Sequence, residues 1–164
     1  MSNRLGLLYY KIHFYVYNNV LFVNAMRRRE LLMKEKCLTQ IVEDIPGRKI
    51  ILSAGIGQTN PTDLQWLMDT VLKHAAAWKT SGWAYIADCT QMKPIGPQES
   101  SVLVKMTKAF VDAGCKAFGF AEGTSMMLKI QAKKNTQMSE TGVIEGHFAT
   151  VEEVLEWLKT DLNL

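Results

Sequence analysis

Gly82-Trp-Ala-Tyr-Ile-Ala-Asp-Cys-Thr90 is followed, after a polar stretch, by Pro97-Gln-Glu-Ser-Ser-Val-Leu-Val104. The first segment is an apolar run that ends at Asp88. The second opens an amphipathic helix. A run with almost no polar residue, Trp83–Ala87, is expected for a central strand covered on both faces. The arrangement then repeats. Lys116–Ala121 reads as the next strand, and Glu122-Gly-Thr-Ser125 leaves it to open another helix. Strands that alternate with helices predict a largely parallel sheet, with sites where strands hand over to helices.

Upstream, Leu38–Asp44 and Lys49–Ala54 read as two strands of a hairpin. Ile45-Pro-Gly-Arg48 supplies the turn between them. Gly55-Ile-Gly-Gln-Thr-Asn-Pro61 is a loop, and Thr62-Asp-Leu-Gln65 has the form of a capping box, which predicts a helix from there to Ser81-Gly82. Leu64, Leu67, Met68, Val71, Leu72 and Ala75 recur along it at helical spacing. The helix after Pro97 buries Val102, Leu103, Met106, Ala109, Phe110 and Ala113 and closes on Gly114. Its outer face shows Ser101, Lys105, Lys108 and Asp112. A short helix is expected from about Ser125 to Lys134. Gly142–Phe148 is a more polar strand and therefore an edge. Thr150-Val-Glu-Glu153, a second capping box, opens a last helix with Val151, Val154, Leu155 and Leu158 on one face. The expected fold class is α/β, with a mixed, mostly parallel sheet of about five strands and about four helices in residues 34–164.

Residues 1–33 differ in composition. Leu5–Ala25 is rich in Leu, Tyr, Phe and Val, and Arg27-Arg-Arg29 follows. Lys11, His13, Asn18 and Asn19 interrupt the apolar stretch at positions costly in hydrocarbon. Three readings of this N-terminal extension stay open. It is a weak membrane anchor with its C-terminal side in the cytoplasm, an extra strand or hairpin around Ile12–Tyr17, or a non-native extension ahead of a start at Met26 or Met33.

The net charge of +3 resides in that extension. Arg4, Lys11, Arg27, Arg28 and Arg29 stand against Glu30 alone, which leaves residues 34–164 at −1. A near-neutral domain without a broad basic face argues against nucleic acid as a main partner. Cys37, Cys89 and Cys115 are odd in number and widely spaced. They form no CxxC or Cys/His ligand pattern, which points to a reduced compartment, the cytoplasm, and to no metal site. No cofactor motif is present.

The order β-β-α-β-α-β-α-β-α, with Tyr85-Ile-Ala-Asp88 as an apolar strand ending in Asp, Ile95 ahead of the second helix and the closing Thr150–Leu158 helix, resembles the STAS family. The likeness spans roughly residues 37–160. STAS domains form the anti-sigma factor antagonists of bacteria, so the resemblance implies a non-catalytic, regulatory protein–protein interaction domain. The implied partner is a kinase-like anti-sigma factor or a similar regulatory protein; self-association stays open. In antagonists a Ser or Thr at the start of the second helix is phosphorylated, where backbone N–H groups and the helix dipole favour an anion. Here the usual Asp-Ser-Ser-Gly pattern is replaced by Ile95-Gly-Pro-Gln-Glu-Ser-Ser101. An ungapped reading sets Pro97 or Gln98 at the acceptor position, and a few residues of slack set Ser100 there. Ser100 and Ser101 are therefore the candidate phosphoacceptors in a degenerate acceptor region.

The expected partner-binding surface is the loop Asp88–Ser101 with the outer face of the helix behind it: Asp88, Thr90, Gln91, Lys93, Ser101, Lys105 and Lys108. Asp88 reads equally as a carboxylate accepting backbone N–H bonds in its own turn. Two other function classes compete. A small-ligand or lipid-binding module would use an apolar pocket beside the fourth strand, walled by Phe120, Met126 and Met127, although a run such as Met126, Met127, Leu128 and Ile130 also reads as core. A thiol-dependent enzyme would use Cys89, and needs a base within reach of the sulfur.

Overall fold

The computed structural model describes residues 34–164; the readings of residues 1–33 as anchor, strand or extension lie outside the described residues. In chain order the elements are β1 (Lys34–Lys36), β2 (Gln40–Asp44), β3 (Ile50–Gly57), α1 (Pro61–Ala75) with a 3-10 turn behind it (Ala76–Trp78), and β4 (Trp83–Met92). Then come α2 (Pro97–Asp112), β5 (Cys115–Ala121), α3 (Met126–Ser139), β6 (Ile144–Phe148) and α4 (Val151–Leu162). The sheet runs β1-β2-β3-β4-β5-β6. β2 and β3 are the expected antiparallel hairpin, with Gln40 opposite Gly55 and Asp44 opposite Ile51. β3, β4, β5 and β6 are parallel neighbours. Among the described residues the short β1 adds a sixth strand at one edge, and β6 is the other edge, as its polarity predicts.

Crossovers between parallel strands are right-handed. When the strands also follow one another across the sheet, every crossover helix must fall on the same face. α1 and α2 do so, and α3 packs beside α2. Under them lies a core of Val42, Ile51, Trp83, Tyr85, Phe110 and Phe118, all at most 1% exposed. The rings interlock edge-to-face, Tyr85 on Phe110 at 5.0 Å and on Phe118 at 5.4 Å. Polar tips are satisfied, since Trp83 Nε1 donates to the Ala113 carbonyl at 2.9 Å and the Tyr85 hydroxyl meets Ser53 Oγ at 2.5 Å. Each such ring contributes about 1.5–3 kcal/mol through burial.

The opposite face has only α4. Its floor is built from small residues, Ala84, Ala117, Gly119 and Ala121, so that Val154 and Leu158 seat deeply. A Cβ on Gly119 would fall within the side chain of Val154. Thr150 caps α4 as expected, accepting from Glu153 N at 3.2 Å.

Several boundaries differ from the sequence reading. α1 starts at Asn60, not at a capping box on Thr62: Asn60 Oδ1 accepts from Asp63 N at 2.9 Å and Pro61 takes the first helical position. Asp63 is then drawn into a buried network, accepting from Thr39 Oγ1 at 2.6 Å and Asn60 Nδ2 at 3.0 Å. The α-helix ends at Ala75 rather than at Ser81-Gly82. α3 continues five residues past Lys134, to Ser139.

His74, in the last turn of α1, joins two strands. Its Nδ1 is 2.7 Å from Asp44 Oδ1 on β2 and its Nε2 is 3.1 Å from Glu35 Oε1 on β1, while Lys73 Nζ also reaches Glu35 Oε1 at 2.8 Å. Only imidazolium donates from both nitrogens. The Asp44 hydrogen bond raises the His74 pKa; burial opposes this and Glu35 adds to the rise.

Two outcomes follow from these contacts. Gly119→Ala should destabilise by about 1–3 kcal/mol in urea denaturation. Val154→Ala should cost less in that background than in the wild type, because it removes the clash. A raised folded-state pKa means that the His74 stabilisation is fully present below about pH 6.5 and lost as pH rises through the folded value. Melting temperatures measured from pH 6 to 8 should therefore fall more steeply for wild type than for His74→Gln.

Candidate functional site

β4 does not stop at Asp88. It runs on to Met92 beside an equally extended β3, with Ile56 opposite Gln91 and Gly57 opposite Met92. The expected loop Asp88–Ser101 is thus shortened to residues 93–96, and its first part is strand. One extra residue on β4 is absorbed between the Ala54–Asp88 and Ile56–Gln91 pairs. Asp88 lies at this irregularity. Its Oδ1 accepts from Thr90 N at 3.0 Å and Thr90 Oγ1 at 2.6 Å, the turn-bonding role its position allows. Thr90, Gln91 and Lys93 are exposed nearby, and Lys93 N donates to the Gly57 carbonyl at 2.9 Å.

α2 begins on Gly96, whose N–H donates to the carboxylate of Glu99 at 3.0 Å. The positive end of the helix is therefore met by its own side chain. Ser100 and Ser101 lie inside the helix. Ser100 is half-buried and its hydroxyl donates to Asn135 Oδ1 on α3 at 2.5 Å. Ser101, Lys105 and Lys108 are exposed on the outer side, as expected. A second clasp ties the preceding loop to α3: Gln131 Nε2 donates to the Ile95 carbonyl at 2.9 Å, and Gln131 Oε1 accepts from Ile95 N at 3.2 Å.

These bonds fix a groove of about 470 Å³ between α2 and α3, with Val104 and Lys105 on one wall and Lys134 and Met138 on the other. The rest of α3's outer side is unusual. Met126, Met127, Ile130 and Met138 are 68, 58, 60 and 52% exposed, and they make up four of the seven exposed large apolar side chains among the described residues. Lys129, Lys133 and Lys134 lie between them. This surface escaped the sequence reading, which ended the helix at Lys134 and took its methionines as core or pocket wall. The readable signal was Met127, Lys134 and Met138 at i, i+7 and i+11, one helical edge.

Beneath the clasps, at the carboxyl ends of β3, β4 and β5, is a cavity lined by Tyr85, Met92, Met106, Phe118, Phe120 and Leu128. Phe120 lines it as expected; Met126 and Met127 do not, because they face outward. Its volume is about 70 Å³. Drug-sized ligands and lipids occupy pockets of roughly 300–1,000 Å³, so this space is a packing defect on that scale.

Cys89 lines the same cavity, and its thiol donates to the Ala87 carbonyl at 3.8 Å. Burial pushes the thiol up to about 12, and the nearby carboxylates of Glu122 and Asp88 push in the same direction. A nucleophilic cysteine needs the reverse shift. His147 is engaged by Glu122, Nδ1 to Oε1 at 2.6 Å, at the ends of β6 and β5. Ser125 caps α3 by accepting from Leu128 N at 3.3 Å, so Glu122-Gly-Thr-Ser125 serves as a helix entry. Among the described residues no group of three or more His, Cys, Asp or Glu side chains could hold a metal ion, and no helix is long and apolar enough to cross a membrane.

No family model and no curated protein matches the chain. Among solved structures it is similar to an uncharacterized protein of the DUF3478 family from Shewanella loihica PV-4, which has a SpoIIAA-like fold. The identity is 13%, the TM-score 0.57, and the match covers 76% of this chain and 98% of that one. The domain has a STAS-like fold. It is also similar to an anti-sigma factor antagonist from Mycobacterium paratuberculosis, at 12% identity and a TM-score of 0.49 over 74% of this chain and 93% of that one. In this STAS-like domain the segment that opens α2 carries an internal carboxylate, Glu99, ahead of the two serines.

At neutral pH Cys89 should react with iodoacetamide far more slowly than a free thiol, and Cys89→Ser should leave the melting temperature within a few degrees of wild type. Rapid alkylation of native protein, mapped to Cys89 by mass spectrometry, would restore the thiol-enzyme reading.

Proposed function

We propose that this domain is a non-catalytic module for protein–protein interaction in a regulatory system, resembling an anti-sigma factor antagonist with a degenerate phosphoacceptor region. Its docking face is the outer side of α2 and α3. The observation that carries this reading is the concentration of exposed Met126, Met127, Ile130 and Met138 on one helix among lysines. Contiguous exposed apolar side chains rimmed by charge mark interaction sites, and Met side chains adapt to a partner's relief. The rim supports a regulatory partner with acidic character: Lys105 and Lys108 stand on the α2 side, three residues apart and both exposed. Asp88, Thr90, Gln91 and Lys93 flank this face at the end of β4. The raised Cys89 pKa and the small cavity favour neither the enzyme nor the ligand module.

Of the two candidate acceptors, Ser101 is open to a kinase, and a phosphate there would place negative charge beside Lys105 and Lys108. Modification of Ser100 would first require breaking its bond to Asn135.

The test is affinity capture from the native cell with quantitative mass spectrometry. Lys105→Glu with Lys108→Glu, and separately Ile130→Ser with Met138→Ser, should keep stability within about 0.5 kcal/mol and reduce recovery of the native partner at least tenfold. Ser101→Asp should act in the same direction. Glu156→Lys, on α4 across the sheet, is the control and should recover the partner at wild-type level. Recovery by both face variants at that level would move recognition off this surface.

A further inference from the structure

We infer that the groove between α2 and α3 receives an acidic amphipathic helix. This rests on the docking face proposed above and names its occupant. The groove is concave and preformed. Its floor is held by the paired Gln131–Ile95 bonds and by Ser100–Asn135, so no movement is needed to open it. α3 lines it from Gln131 to Met138. At 1.5 Å per residue that wall is about 12 Å long, which holds about two turns of a partner helix.

Charge selects the sign of the partner. α2 and α3 carry Lys105, Lys108, Lys129, Lys133 and Lys134 against Glu99 and Asp112, and Glu99 is already bonded to Gly96. These two helices therefore hold +3, while the remaining described residues sum to −4. A positive face on an otherwise acidic domain steers an acidic partner to this side and repels it elsewhere. Of these lysines one lines each wall, Lys105 on α2 and Lys134 on α3, together with the apolar Val104 and Met138. An occupant must then have an apolar stripe with acidic residues on both flanks, which is the pattern of a helix laid in a groove.

The same features disfavour other occupants. An added strand needs a sheet edge, and this groove is walled by two helices. A bilayer offers a flat surface, which cannot fill a concave groove, and interfacial helices insert Trp, Phe or Leu, whereas the exposed apolar residues of α3 are Met and Ile.

The experiment titrates the full chain, followed by backbone amide chemical shifts, with an eighteen-residue synthetic peptide. The peptide carries leucine at i, i+4, i+7 and i+11 with glutamate on both flanks. Two comparison peptides replace the glutamates with lysine, or keep the composition and scramble the order. The acidic helix should bind saturably, with shifts confined to α2, α3 and the loop between β4 and α2. Both comparison peptides should bind at least tenfold more weakly. Lys105→Glu with Lys134→Glu should weaken the acidic peptide at least tenfold and flatten its salt dependence, with the melting curve unchanged. Equal binding of the scrambled peptide, or shifts mapping to another face, would overturn the inference. So would binding to anionic phospholipid vesicles through α3 without binding of the acidic peptide. If the peptide fails while Ile130→Ser with Met138→Ser still loses the native partner, the helical occupant is wrong and the docking face stands. If that variant also keeps the partner, both fall.

Discussion

A pair of parallel strands cannot be closed by a tight turn. Three such pairs follow one another here, from β3 to β6, and each crossover has the same hand. From that constraint comes the lopsided architecture. Three helices crowd one face and meet the large aromatic residues of β4 and β5. The other face is left to α4, and its strands offer alanine and glycine. The crowding also brings α2 and α3 side by side at the carboxyl ends of the strands. The groove, its two clasps and the small cavity beneath them are all consequences of where the crossovers must run.

The sequence was most readable where the physics is local. Pro46-Gly47 in the hairpin turn, Thr150 at the start of α4 and the unbroken apolar run Trp83–Ala87 each point to one outcome. Reading failed where a longer-range partner decides. Asn60 and Thr62 are both good caps, and Pro61, with the buried Asp63 network, selects the first. Asp88, Thr90 and Gln91 look like loop, yet the extended β3 beside them supplies backbone partners and keeps them in the sheet. Asn135 and Thr136 are weak helix formers. They continue α3 where both are buried and Asn135 is bonded to Ser100. Stopping the helix at Lys134 hid Met138, and with it the apolar edge of the groove.

The start of α2 supplies its own counter-charge. A helix N-terminus attracts an anion. Glu99 supplies one from within the helix by accepting from the Gly96 amide. The serines that follow lie inside the helix, where one binds α3 and the other faces solvent. The serines read from the sequence as candidate acceptors therefore lie inside a helix rather than at its cap.

The single-helix face has a consequence for biogenesis. Because the strands from β2 to β6 neighbour one another in sequence order, each can join the sheet as it leaves the ribosome. The covering helix α4 is synthesised only after every strand. Until residues 151–162 emerge, the nascent sheet presents Ile50, Ile86 and the alanine floor to the surroundings with nothing packed on them. During that interval the half-made domain is a natural client for a chaperone that holds exposed apolar surface, and release would coincide with the seating of Val154 on Gly119.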